Sequence, residues 1–266
     1  MNTIRISGLF IYPVKSLAGI SLQTSNIDNM GLKYDRRWML VSPDGLFLTQ
    51  RKIPKMALIK TALDANGTLT LSMKGMNDHT VPNTSNECDT MSVRIWKDNL
   101  TVQKVSDKTD TWLSDALDFD CHLVYISDDV GRQCDLDYAK KGDHTGFSDG
   151  FPLLLISETS LYDLNQRLES PVEMRRFRPN IVVSGCEAFA EDHWKKFTIS
   201  KIEMRGVKLC SRCILTTVDP ETGERTSREP LATLETYRKV DKTVNFGLNV
   251  IQQQHGILSV GDLVEV

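Results

Sequence analysis

Through the first hundred or so positions, apolar and polar residues alternate with a period near two, which predicts half-buried strands rather than helices. Residues 3–11, 22–27, 38–41, 56–63, 68–73, 92–96 and 99–105 carry this pattern. Turn formers separate them: Pro43-Asp44-Gly45, Asn66-Gly67, Asn77-Asp78 and Lys97-Asp98-Asn99. The clearest hairpin joins residues 61–64 to 68–72 around Ala65-Asn66-Gly67, because Asn-Gly accepts the positive φ that tight hairpin turns need. The polar stretch 77–89, interrupted by Pro82, predicts a mobile loop.

The period then lengthens. Trp112, Leu113, Ala116 and Leu117 fall on one face of a helix over residues 109–117, with Ser106 or Asp107 as its cap. Residues 121–126 return to strand, and 127–149 is a polar, glycine-containing loop or linker. The apolar run 152–156 predicts a buried strand leading into a second helix, with Ser157 as N-cap and Leu161, Leu164 and Leu168 at helical spacing. Residues 181–183, 198–204, 214–218, 246–252 and 258–266 read as strands, and 230–237 as a short helix opened by Pro230. The sum is a mainly β (α+β) chain with a few helices, in two β-barrel-like parts. It lacks the strand–helix alternation of a doubly wound sheet.

Composition narrows the function. The chain has 266 residues, 40% of them hydrophobic and 25% charged, which suits a packed core and excludes disorder or coiled coil as whole-chain readings. Lys and Arg number 32 against 35 Asp and Glu, a net charge of −3, so no basic excess favours a nucleic-acid polymer. The longest apolar run covers residues 151–156, far short of the roughly 20 needed to span a bilayer. A cytoplasmic location is the expectation, since no cleavable leader pattern opens the sequence. The six cysteines are dispersed, and only Cys210 and Cys213 are close together.

Cys210-Ser211-Arg212-Cys213 admits several chemistries. A zinc site needs a second Cys/His pair, and histidines 79, 122, 144, 193 and 255 form none. A redox dithiol needs a following helix, whereas Ile214-Leu215-Thr216-Thr217-Val218 is β-branched. Two unconnected cysteines in a strand, or a thiolate on a soft metal with Arg212 adding positive potential, remain. Were residues 210–218 extended throughout, Cys210 and Cys213 would face opposite ways, and only one could meet a ligand. Arg175, Arg176 and Arg178 place three guanidinium groups in four positions, either a solvated basic loop or an anion clamp. Asp219-Pro220-Glu221-Thr222-Gly223 reads as a turn. Lys15 and Ser16 follow a strand in Pro13-Val14-Lys15-Ser16, a placement that suits phosphate.

Tyr12-Pro13-Val14-Lys15-Ser16 with Gly19, Gly31-Leu32 with Asp35-Arg36-Arg37-Trp38, Phe177-Arg178-Pro179-Asn180, Cys210 to Pro220 and Glu229-Pro230-Leu231 occur in this order. Together they resemble the MOSC-domain proteins that carry an N-terminal β-barrel partner, the group of the amidoxime-reducing components and the bacterial YcbX proteins. The resemblance runs from about residue 4 to residue 266. It implies an N-terminal MOSC β-barrel domain over 1–125 and a MOSC domain over 126–266.

It also implies a molybdenum cofactor (Mo-molybdopterin), with Cys213 as the catalytic thiolate ligand of the metal. Lys15, Ser16, Arg36, Arg178, Ser211 and Arg212 fall at cofactor-binding positions, and Gly150 and Phe151 where further contacts come from the backbone. The implied activity is reduction of N-hydroxylated small molecules such as amidoximes and N-hydroxylated base analogues. Electrons would come from a separate donor protein carrying flavin, haem or an iron–sulfur cluster, because the chain has no cluster-forming set of four cysteines. Two other functions stay open: a sulfur carrier with a persulfide on Cys213 and Cys210 as resolving thiol, or a non-catalytic cofactor-binding module.

Overall fold

The computed structural model of the chain describes residues 3–83 and 89–266, so part of the loop expected at 77–89 lies outside the described residues. Among the described residues the fold is mainly strand, with three α-helices: Asp107–Leu117, Glu158–Asn165 and Leu231–Tyr237. Its largest sheet has nine strands. They run in the order Ile20–Leu22, Arg5–Ile11, Ile181–Ser184, Leu153–Ser157, Thr243–Gln252, Ile202–Arg212, Lys196–Ile199 and Val264–Glu265, with Lys239–Val240 beside Thr243–Gln252. Arg5–Ile11 is antiparallel to Ile181–Ser184 (Leu9 opposite Ile181), which in turn runs parallel to Leu153–Ser157. The N-terminal strand is thus an interior member of a sheet whose other long strands come from the second half. Ile6, Leu9 and Ile11 share one buried core with Leu155, Ile181, Leu248 and Val250.

The strands Trp38–Val41, His122–Tyr125, Asp98–Lys104 and Thr90–Ile95 form a second sheet. All four residues of Trp38–Val41 are buried, because the pleat sends Trp38 and Leu40 into one core and Met39 and Val41 into another. The first of these cores is closed by Leu113, Ala116 and Leu117 of the helix Asp107–Leu117. Ser106 caps that helix, its Oγ accepting from Thr109 N at 3.2 Å. Ser157 caps Glu158–Asn165 in the same way.

The Asn-Gly hairpin is present, pairing Lys60–Leu63 with Leu69–Ser72. Four expectations are corrected. Residues 56–58 belong to a 3-10 turn, Pro54–Leu58, since Pro54 sets a helical φ at its start. His79–Thr80, inside the expected loop, adds a third strand to the hairpin. The strand expected at 198–204 is a hairpin bend between Lys196–Ile199 and Ile202–Arg212, turned at Ser200 with φ 54°. Residues 258–266 are two strands broken at Gly261, φ 96°.

Candidate functional site

Four loops and one strand end meet at a single cleft. The loop after Arg5–Ile11 is zipped to the segment before Trp38–Val41: Arg36 N donates to Tyr12 O, Trp38 N to Pro13 O and Lys15 N to Trp38 O, at 2.8–3.0 Å. Residues 146–151 dock on the same segment through Phe147 N to Arg36 O, 2.8 Å. Gly146 has no alternative there, since a Cβ would lie 2.7 Å from Arg36 O. Asn180 ties in the fourth loop, donating from N to Leu154 O and accepting at its own O from Phe10 N.

Cations crowd this junction. The Tyr12 ring lies between two guanidinium groups, Arg36 at 4.2 Å and Arg178 at 4.1 Å from its centroid. Gly19 gives the ring room, because a Cβ there would come within 2.4 Å of Tyr12 Cε1. Burial pushes the Tyr12 hydroxyl up to about 12. The buried Asp35 carboxylate accepts from Tyr12 N at 2.8 Å and from Arg36 Nη1 at 2.7 and 2.8 Å. Arg36 also reaches Asn180 Oδ1 (3.1 Å) and Arg178 O (3.0 Å). Lys15 Nζ donates to Phe147 O at 2.8 Å and pairs with Asp149 at 2.5 Å. Burial lowers Lys15 to about 8 even though Asp149 acts in the other direction. Burial, followed by the like charge of Arg36, lowers Arg178 to about 10.

Two guanidinium groups are only partly used by the protein. Arg178 Nη1 donates to Leu17 O at 2.6 Å, while Arg212 donates from Nε to Phe246 O (2.8 Å) and from Nη1 to Phe177 O (2.9 Å). Arg178 Nη2 and Arg212 Nη2 are buried and have no hydrogen-bond partner among the described residues. An unmet buried donor is costly, by about 1–3 kcal/mol, and both of these belong to cations that line the cleft. Ser16 (φ 69°), Arg36 (φ 47°) and Arg178 (φ 56°) are all in the left-handed region, so three residues at the cleft hold unfavourable backbone.

The thiols lie at the end of Ile202–Arg212. The expected strand over 214–218 is a 3-10 turn, Ile214–Thr217. Its β-branched threonines bond backwards instead of joining a ladder: Thr216 Oγ1 to Cys213 O at 3.0 Å and Thr217 Oγ1 to Ile214 O at 2.7 Å. Cys213 is the residue from which the turn starts. The chain is extended as far as Cys213 (φ −132°, ψ −177°) and turns only after it, and Cys210 and Cys213 both line the cleft. Opposite Cys210 the ladder shifts register between Leu209 and Ser211, where the partner strand inserts Gly247 at φ 84°. Burial raises the Cys210 thiol above its ordinary value. Cys121 and Cys134 are buried, and their thiols are pushed up to about 11 and about 12 by burial.

Lys15, Ser16, Arg36, Gly150, Phe151, Arg178, Ser211, Arg212 and Cys213 all line this one cleft. Arg175 and Arg176 do not. Arg175 pairs with Glu173 and Glu221, and Arg176 with Asp219 at 2.7 Å, so the arginine cluster divides into two arginines held in ion pairs and one inward cation. Asp149, Asn180 and Asn249 also line the cleft. Asn180 was within reach of sequence reasoning as the last residue of Phe177-Arg178-Pro179-Asn180. Arg51, whose Nη1 lies 3.7 Å from Cys213 Sγ, had no local signal at all. Among the described residues, no three His, Cys, Asp or Glu side chains gather into a metal-binding group, and no helix is long and apolar enough to cross a membrane.

The MOSC N-terminal beta barrel domain profile matches residues 3–120, and the MOSC domain profile matches residues 142–265. The chain is 35% identical to mitochondrial amidoxime-reducing component 1 of Homo sapiens over 281 aligned positions, covering 97% of this chain and 82% of that one. It is 36% identical to mitochondrial amidoxime reducing component 2 of Rattus norvegicus, with the same coverage. Similarity extends to a molybdenum cofactor sulfurase of Oryza sativa subsp. japonica, 34% identical over 93% of this chain but 32% of that protein. With both domains matched in order and relatives aligned along nearly its full length, the chain belongs to the MOSC-domain family whose members carry the MOSC N-terminal beta barrel.

Proposed function

We propose that the protein is a molybdenum-cofactor-dependent reductase of N-hydroxylated small molecules, amidoximes and N-hydroxylated base analogues among them. The observation that carries this reading is the pair of buried, unmet donors, Arg178 Nη2 and Arg212 Nη2, in a cleft that also holds the Cys213 thiol. A phosphate-tailed pterin that presents a soft metal needs this donor set: cations and amide hydrogens at one end, a thiolate at the other. Arg178, Arg212, Lys15 and Arg36 would hold the phosphate and pterin, Ser16, Ser211 and the backbone of Gly150 and Phe151 would complete the cradle, and Cys213 would be the metal's protein ligand.

The bound cofactor would supply two-electron cleavage of the N–O bond, with two electrons and two protons taken up and the N–H product and water released. The chain's own contribution is orientation and charge. Its convergent cations neutralise the phosphate, and the Lys15–Asp149 pair fixes the loop that carries Gly150 and Phe151. Electrons would arrive from a separate donor protein bearing flavin, haem or an iron–sulfur cluster. We place the reaction in a reducing compartment, the cytoplasm, in keeping with five described cysteines that are all free. We also divide the chain into 1–125 and 126–266; the two matched profiles fall on either side of that boundary.

One observation favours a second reading, a sulfur carrier. Cys210 shares the cleft with Cys213, so a persulfide on Cys213 could be attacked by the Cys210 thiol, forming a disulfide and releasing hydrogen sulfide. Metal analysis of freshly purified protein, with pterin oxidation products and benzamidoxime reduction by an artificial donor measured in parallel, separates the readings. Molybdenum and pterin near one per chain with turnover supports the reductase. Labile sulfur without molybdenum identifies the carrier. Full pterin without turnover identifies a binding module.

A further inference from the structure

Arg51 lies in the first half of the sequence, yet its guanidinium meets the thiol supplied by the second. Nη1 lies 3.7 Å from Cys213 Sγ, while the guanidinium carbon sits 4.4 Å from the centroid of the Trp96 ring. Among the described residues Arg51 forms no ion pair; its planar group is used on a sulfur and an aromatic face. Trp96 is an unusual platform. It occupies the tip of the hairpin between Thr90–Ile95 and Asp98–Lys104, with φ 54°, where a turn favours glycine, and it is 42% exposed. Phe47 backs it at 5.0 Å between ring centroids. A large side chain is thus kept in a strained, solvent-facing position where its evident contacts are Phe47 and Arg51.

Cys213 itself is loosely determined. Its carbonyl is held by Thr216, and it precedes a 3-10 turn at the cleft, with Arg51 as the one hydrogen-bond partner of Sγ among the described residues. We propose that Arg51, pinned on Trp96, is a positioning residue for Cys213: its donor fixes the direction of the sulfur toward the cleft. This rests on the reading of Cys213 as the metal ligand, because the sulfur's direction then sets the metal–thiolate geometry. Arg51 and Trp96 would be the first half's contribution to that end of the site, as Lys15 and Arg36 are to the other.

The test uses the cofactor-loaded full chain, with the electron paramagnetic resonance signal of the singly reduced metal as readout, since that signal follows thiolate orientation. Cys213→Ala is the reference for loss of the ligand. Arg51→Ala is expected to bind wild-type amounts of pterin and to unfold at the wild-type temperature. Its signal should be shifted, and kcat should fall about tenfold with KM little changed. Arg51→Lys, which keeps a donor near the sulfur, should restore the wild-type signal. If Arg51→Ala gives the wild-type signal while Cys213→Ala does not, the positioning role is overturned and the ligand reading stands. If Cys213→Ala also gives the wild-type signal, the ligand reading falls and the positioning role with it.

Discussion

Arg176 and Arg178 carry the same group two positions apart and have opposite surroundings. Arg176 is satisfied by Asp219 and by Val218 O at 3.1 Å, whereas Arg178 keeps a buried donor unmet. Arg178→Ala should therefore reduce bound pterin far more than Arg176→Ala, by the ~1.5–3 kcal/mol of a charge-assisted hydrogen bond, measured as pterin released per mole of protein. Lys15 adds a pH signature. Its value of about 8 in the free protein means that it is a cation below that pH and neutral above it. Affinity for a phosphate-bearing ligand should be flat below pH 8 and fall by up to about tenfold per unit above it; Lys15→Met should abolish the slope in pterin retention on dialysis. For the thiols, Cys213→Ala should abolish N-hydroxy substrate reduction in folded, pterin-loaded protein, and Cys210→Ala should keep most of it. Equal loss in both would favour the sulfur carrier. Motifs alone were enough to gather Lys15, Arg36, Arg178 and Cys213 into one cleft. Arg51 escaped them because what marks it is a contact to a residue 162 positions away.

Local pattern was a good guide where one force dominated. The Asn-Gly hairpin, the Ser106 and Ser157 caps and the buried run Leu153–Ser157 all follow from turn chemistry, capping and apolar periodicity. It misled at Ile214–Thr217, where β-branched residues argue for a strand but threonine hydroxyls can satisfy the backbone locally and support a 3-10 turn. Cys213 itself is still extended, and the turn begins only after it. The inserted Gly247 in the partner strand was equally hidden. A Cβ there would lie 2.6 Å from Ile156 Cγ1 and 2.9 Å from Leu155 O, a constraint visible only once the neighbouring strand is in place.

Alternation and turns could announce a β-rich chain in two parts, but not that the first strand leaves its own half. Arg5–Ile11 is flanked by Ile20–Leu22 on one side and Ile181–Ser184 on the other, and strand partners so distant leave no trace in local pattern. The cleft is a product of this crossing, which brings Lys15 and Arg36 beside Arg178 and Cys213. A fragment of residues 126–266 would lose Ile6, Leu9 and Ile11 from its core, about 5–9 kcal/mol of burial against a typical total stability of about 5–15. It would also expose the edge of Ile181–Ser184. The fragment should be insoluble when expressed alone, and co-expression with residues 1–125 should return it to the soluble fraction. A soluble, cooperatively unfolding fragment would contradict this.

The left-handed backbones of Ser16, Arg36 and Arg178 have an evolutionary corollary. At about 1–2 kcal/mol for each such residue, the three together match a sizeable share of a protein's net stability. Glycine at any of them would relax the chain while deleting a side chain that lines the cleft. Selection for thermal robustness alone, in a laboratory or in a hot habitat, would be drawn to these positions early. It would favour descendants that are sturdier and no longer able to hold what the ancestor carried.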